Sequence, residues 1–179
     1  MLRTILFFGV VSGLIVIVPM CLMLTFGADG DRDGSSMLQG YLMMVVALSL
    51  IFIGVKRHRD KALGGVIKFF PALLVGLGIS AVAGVIYVIG WEITLQATNF
   101  SFIESYSTAM LERAQAKGAS AAEIEKMTKE MATFRTQYAD PLFRLPMTFI
   151  EIFPVGVVIS LITAALMRNS RFLPARAAA

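Results

Sequence analysis

The chain has little of what soluble enzymes are built from. One cysteine, one histidine and one tryptophan stand among 179 residues, and only 16% of the chain is charged. The lone Cys21 permits no disulfide within the chain. His58 and Cys21 lie in separate stretches and cannot supply the three or four ligands of a zinc site or a nucleophile with its base. No hydrolase, kinase, dinucleotide-binding or P-loop pattern occurs. The expectation is a chain that is not an enzyme and holds neither cofactor nor metal.

What is plentiful is apolar sequence, at 57% of residues. Soluble domains carry about 25% charged residues, so the shortfall points to lipid. The apolar residues come in four blocks, at 4–26, 37–55, 69–91 and 147–167. Each has the length needed to cross hydrocarbon, about 20 residues. The net charge of +4 could suggest nucleic acid, but the basic residues sit at the ends of the apolar blocks, where membrane topology places them. Nucleic acid is excluded on that distribution. The first block is longer than the roughly 7–15 residues of a signal-peptide core. Met20 before Cys21 does not fit a lipoprotein site, so a membrane anchor is expected.

The arrangement implies an all-α integral membrane protein, one domain over residues 1–179. Four transmembrane helices carry an extracytoplasmic helical hairpin at 92–146, between the third and fourth. Sidedness follows from counting basic residues near the block ends. Arg3, Lys56, Arg57, Arg59, Lys61, Lys68, Arg168, Arg171 and Arg176 share one side with Asp60 as its only acid. On the other side acids outnumber bases. Both termini are therefore expected in the cytoplasm and the hairpin in the periplasm of a bacterial inner membrane.

Small residues recur every fourth place in two blocks. Ala72, Gly76, Ser80 and Gly84 line one face of the third, and Gly156, Ser160 and Ala164 one face of the fourth. Such faces let helix backbones approach closely, within one molecule or between copies; a narrow path lined by small residues is the functional alternative. Pro19 is expected to kink the first helix. In the hairpin, helices are expected at 102–117 and 121–138. Ser120 and Glu123 form a capping box and Asp140-Pro141 a stop. Ile124, Met127, Met131, Phe134 and Tyr138 make an amphipathic stripe that packs on Phe102, Tyr106 and Met110, or on a partner.

A few residues could carry chemistry. Asp29, Asp31, Asp33 and Gly34 have the spacing of half a calcium loop, but Gly40 stands where the closing glutamate belongs, so a solvated connector is expected. Eleven methionines, densest at Met20-Cys21-x-Met23, read as flexible core filler rather than a copper site. Glu151 is an intramembrane carboxylate, costly at that depth unless paired, hydrated or neutral. It could approach Glu92 to form a proton-coupled pair, or pair with Arg144. Lys56, Arg57, Arg59, Lys61, Gly64 and Gly65 form a basic turn suited to anionic lipid headgroups or a specific anion. His58 in that turn is expected to be solvated.

The chain also resembles a known family. Gly40-Tyr41, Lys56-x-x-Arg59-Asp60, Gly64-Gly65, Tyr87-x-x-x-Trp91-Glu92 and Glu151-x-x-Pro154-x-Gly156 are similar to a bacterial family of small membrane proteins known as domain of unknown function number 4199. The resemblance implies a four-helix membrane protein and brings no activity with it. The residues themselves suggest a non-enzymatic structural or regulatory membrane subunit. The alternative is a small oligomeric carrier or channel for protons, ions or lipid-like molecules that uses Glu151. Expected partners are membrane lipids, anionic headgroups included, further copies of the chain, and a periplasmic protein on the hairpin.

Overall fold

The apolar blocks become helices that run further than their composition suggests. The computed structural model describes residues 1–26 and 34–175. Over that range the helices are α1 (Leu2–Phe26), α2 (Gly34–Leu48), α3 (Leu50–Ala62), α4 (Phe69–Ala97), α5 (Ser101–Ala116), α6 (Ala121–Ala139) and α7 (Pro141–Met167). Leu2–Leu24, Leu38–Ala62, Phe69–Ala97 and Pro141–Met167 are long and apolar enough to cross a membrane. The chain is all-helical, with the helix lengths and composition of a multi-pass membrane protein. The acidic loop around Asp29, Asp31 and Asp33 lies outside the described residues.

Three boundaries move from their expected places, each for a local reason. The second span continues through Lys56 to Ala62, so most of the basic turn is helix and the true turn is 63–68. Ser49 marks a joint within that span, where its hydroxyl donates to the Val46 carbonyl at 2.6 Å and competes with the helical ladder. The third span passes Trp91 and runs to Ala97. The fourth starts at Pro141, six residues before the expected 147. Asp140 ends α6 and caps α7, its Oδ1 accepting from Leu142 N at 2.9 Å. Pro141 at the first helical position has no N–H to leave unbonded.

α4 packs along α1 on one side and α7 on another, and the α2–α3 span touches both flanking helices. The small residues make this possible. A Cβ built on Gly84 would lie 2.5 Å from Phe149 Cε2, and one on Gly76 would lie 2.8 Å from Ser160 Cβ. Gly156 receives Ser80 in the same way. Ser80 and Ser160 donate to the carbonyls of Gly76 and Gly156 at 3.0 and 2.7 Å, and their hydroxyls meet at 3.3 Å. On the other side of α4, Gly9 and Gly13 of α1 seat Val82 and Ile86. The small-residue faces of α4 and α7 thus meet each other inside one molecule. Leu48, Ile51, Val55, Val75, Ile79, Ala83 and Ile152 fill the space between helices.

α5 and α6 touch each other, and α6 also touches α7. Ile124, Met127, Met131 and Phe134 are half-buried and Tyr138 is buried, so the stripe is largely covered by the chain itself. The capping box is present: Ser120 N donates to Glu123 Oε2 at 2.7 Å, and Glu123 N to Ser120 Oγ at 3.4 Å. That backbone N–H holds the Glu123 carboxyl below its ordinary range.

Candidate functional site

The polar side chains of the bundle gather at three levels. The first lies where α4, α6 and α7 meet. Arg144 is buried at 4% exposure and grips Glu92 with two parallel bonds, Nε to Oε1 at 2.6 Å and Nη2 to Oε2 at 2.7 Å. Its Nη1 donates to the Tyr138 carbonyl at 2.8 Å. The Phe100 and Tyr138 rings lie 5.3 and 5.8 Å from the guanidinium carbon, close enough for cation–π attraction. Trp91 Nε1 donates to Tyr138 Oη at 2.7 Å. Burial pushes the Tyr138 phenol above its ordinary range.

This clasp corrects the sequence-based pairing. Glu92 does not join Glu151, and Arg144 does not reach back to Glu151; the two expected alternatives are replaced by Glu92 with Arg144. Planar, two-point pairing is the geometry an arginine makes best with a carboxylate. It lets α4 carry Glu92 inside the helix instead of ending there.

The second level is Glu151, seven residues further along α7 and so about 10 Å along its axis. Tyr87, buried at 1% exposure, donates its hydroxyl to Glu151 Oε2 at 3.2 Å. Met20 Sδ of α1 lies 3.8 Å from the same hydroxyl. The carboxylate therefore sits where α1, α4 and α7 converge, and the residue is exposed. Among the described residues Tyr87 is its only hydrogen-bond partner. Cys21 bonds Thr94 Oγ1, and no group of three His, Cys, Asp or Glu side chains assembles among the described residues.

The third level is the C-terminal end of α3. Helical phase splits the basic cluster. Arg57 and Lys61 are exposed, whereas His58 and Arg59 are buried, following Ile51 and Val55 on the inward face. Arg59 has no exposed surface. Its Nε donates to Asp60 Oδ1 at 2.7 Å, its Nη1 to the Phe172 carbonyl at 2.9 Å, and its Nη2 to the Leu173 carbonyl. Lys56 also pairs with Asp60. The structure thus commits Arg59 to the chain's own segment after α7. Gly65 faces the same segment, since a Cβ there would lie 3.2 Å from Ala175 Cβ. Gly64 stands in the turn at φ 65° with open space around it. Arg57, Lys61 and Lys68 remain exposed. His58, expected to be solvated, is 9% exposed, and its Nδ1 has no partner among the described residues.

Tyr87, Tyr138 and the carbonyls of Phe172 and Leu173 were not singled out as site groups by sequence. Tyr87 did carry a signal: Tyr87, Trp91 and Glu92 fall on one side of a helix, and each uses its polar atom toward another helix.

The family described as Protein of unknown function (DUF4199) matches residues 7–169. No curated protein and no solved structure matches the chain.

Proposed function

We propose that this chain, which belongs to the DUF4199 family of proteins of unknown function, is a non-enzymatic structural or regulatory membrane subunit that presents α5 and α6 as a helical hairpin outside the bilayer. The Arg144 clasp carries this reading. One buried guanidinium binds a carboxylate of α4 and a carbonyl at the end of α6 while standing on α7. Such a junction holds the base of the hairpin at a fixed angle to the bundle. Charged side chains stand out on both helices: Glu104 of α5 is 69% exposed, and Lys126 and Glu130 of α6 are 79% and 59% exposed. A solvated, rigidly mounted surface of that kind suits contact with another protein. Basic residues at block ends support cytoplasmic termini and a periplasmic hairpin in a bacterial inner membrane. Arg57, Lys61 and Lys68 would then face anionic headgroups, each contributing about 1 kcal/mol of attraction. Photoreactive residues at Lys126 and Glu130, activated in native membranes, test the reading. Discrete protein adducts are expected; adducts to lipid alone would sink it.

The second reading, an oligomeric carrier or channel, draws on Glu151. Carboxylates within transmembrane segments commonly mark ion pathways. Against it, the level next to Glu151 is filled by buried Ile152, Ala83 and Ile79 and by the Ser80 with Ser160 pair, whose hydroxyls meet. Proton flux in liposomes bearing the whole chain, compared with Glu151→Gln, decides between the two. Flux that depends on Glu151 favours the carrier.

A further inference from the structure

Apart from the Tyr87 bond to Glu151, one face of α7 is left exposed by the bundle. Met147, Glu151, Pro154, Val158, Leu161 and Ala165 are all exposed and are spaced by four, three, four, three and four. That 3.5-residue period is the seam along which one helix receives another in left-handed packing. Every member except Glu151 is apolar. Tyr87 Oη occupies Oε2 of Glu151 from below, and Oε1 has no partner among the described residues. A carboxylate turned toward acyl chains is costly, and intramembrane carboxylates are normally found paired.

Among the described residues, the chain's own cations do not supply the pair. Arg144 is spent on Glu92 and the α6 carbonyls, and Lys56 and Arg59 lie at the opposite end of the bundle on Asp60. A second copy in the same orientation would bring another Glu151 to that depth, not a cation. We propose that the Glu151 seam of α7 is a docking surface for a transmembrane helix of a different protein that carries a lysine or arginine at the depth of Glu151. The Tyr87 hydroxyl fixes the carboxylate for the ion pair. This rests on the subunit reading above and supplies the chemistry of its membrane partner.

The test uses the whole chain in phosphatidylcholine vesicles, labelled as an energy-transfer acceptor. The probes are donor-labelled synthetic leucine/alanine helices of about 20 residues, long enough to span, with one lysine or only leucine at the matching depth. The lysine helix is expected to associate roughly tenfold more tightly than the leucine helix, the lower end for a close desolvated charge pair. Glu151→Gln should remove the difference, Glu151→Asp should keep part of it, and Tyr87→Phe should reduce it. A carboxylate moved along the seam, by Val158→Glu in the Glu151→Gln chain, should restore less than the native site. Equal binding of the two helices would overturn the proposal. So would lysine-dependent binding that survives Glu151→Gln, full recovery by the moved carboxylate, or self-association of the chain through this seam. Because Glu151 is exposed, helical content of each variant by circular dichroism should match the parent. Hairpin adducts in native membranes with no lysine preference would refute this proposal alone, whereas loss of both would refute the subunit reading.

Discussion

Arg144 holds Glu92 by two parallel bonds of 2.6 and 2.7 Å across two helices that are each long enough to cross a membrane. The pair is almost dry on the arginine side, with side-chain exposures of 5% and 20%. It joins α4 and α7 at the level where α6 arrives. A buried ion pair is not necessarily stabilising relative to an apolar one, but breaking it from one side leaves a stranded charge.

The first prediction follows from that asymmetry. Glu92→Gln or Arg144→Met alone should destabilise the protein by about 3–5 kcal/mol. The double variant should cost clearly less than the sum. Thermal or denaturant unfolding in mild detergent, arranged as a double-mutant cycle, measures the coupling. Additive losses would mean that the two side chains do not act as a pair.

Gly84→Leu and Gly76→Leu should each force apart helices of one molecule. The new side chains would meet Phe149 and Ser160, and overpacking of this kind costs about 1–3 kcal/mol. Gly40→Ala, where nothing lies within 4 Å, serves as the control and should be neutral or better. Unfolding midpoints separate the three. If the Gly84 variant kept its stability and lost only its oligomeric state, these faces would be intermolecular.

Arg59→Met should loosen residues 168–175 from the end of α3, because the guanidinium binds the Phe172 and Leu173 carbonyls. Limited proteolysis should cut this segment faster in the variant, and Lys56→Ala, which removes only a partly exposed pair, should have little effect. An unchanged cleavage rate in the Arg59 variant would show that the edge-to-face Phe52 and Phe172 contact holds the segment without it.

The cap of α6 gives a pH dependence with a defined sign. The Glu123 carboxyl is held below its ordinary value by the Ser120 backbone N–H, so the folded state favours the ionised form. The cap therefore contributes above the ordinary carboxylate range and its contribution is lost as pH falls through the lowered value. Protection factors of the 121–124 amides, which correct for slower intrinsic exchange in acid, should fall on acidification in the parent chain and be less pH-sensitive in Glu123→Gln.

Much of this was legible in the sequence, because long apolar runs and an exposed capping box depend on local pattern alone. The four spans and the two connecting helices follow from it. The helix ends were less legible. Glu92 reads as the edge of the lipid only if it is unpaired, and its partner lies 52 residues away. Asp140-Pro141 reads as a stop, yet the same two residues are a cap and a first-turn proline. By composition Arg59 belongs to a basic cluster suited to lipid headgroups or an anion, although Leu48, Ile51, Val55 and Arg59 follow one inward face at helical spacing. That signal was present and was masked by charge. Glu151 stood out by depth, but its bond to Tyr87 required knowing that α4 and α7 are neighbours.

The most direct measurement of the central claim, that the clasp mounts the hairpin rigidly on the bundle, is a spin-label distance in lipid nanodiscs. Labels would replace Lys126 on α6 and the exposed Ile93 on α4, in a Cys21→Ala background. One narrow distance distribution is expected for the parent, broadening in both Glu92→Gln and Arg144→Met. A distribution already broad in the parent, or one unchanged by either substitution, would contradict the account.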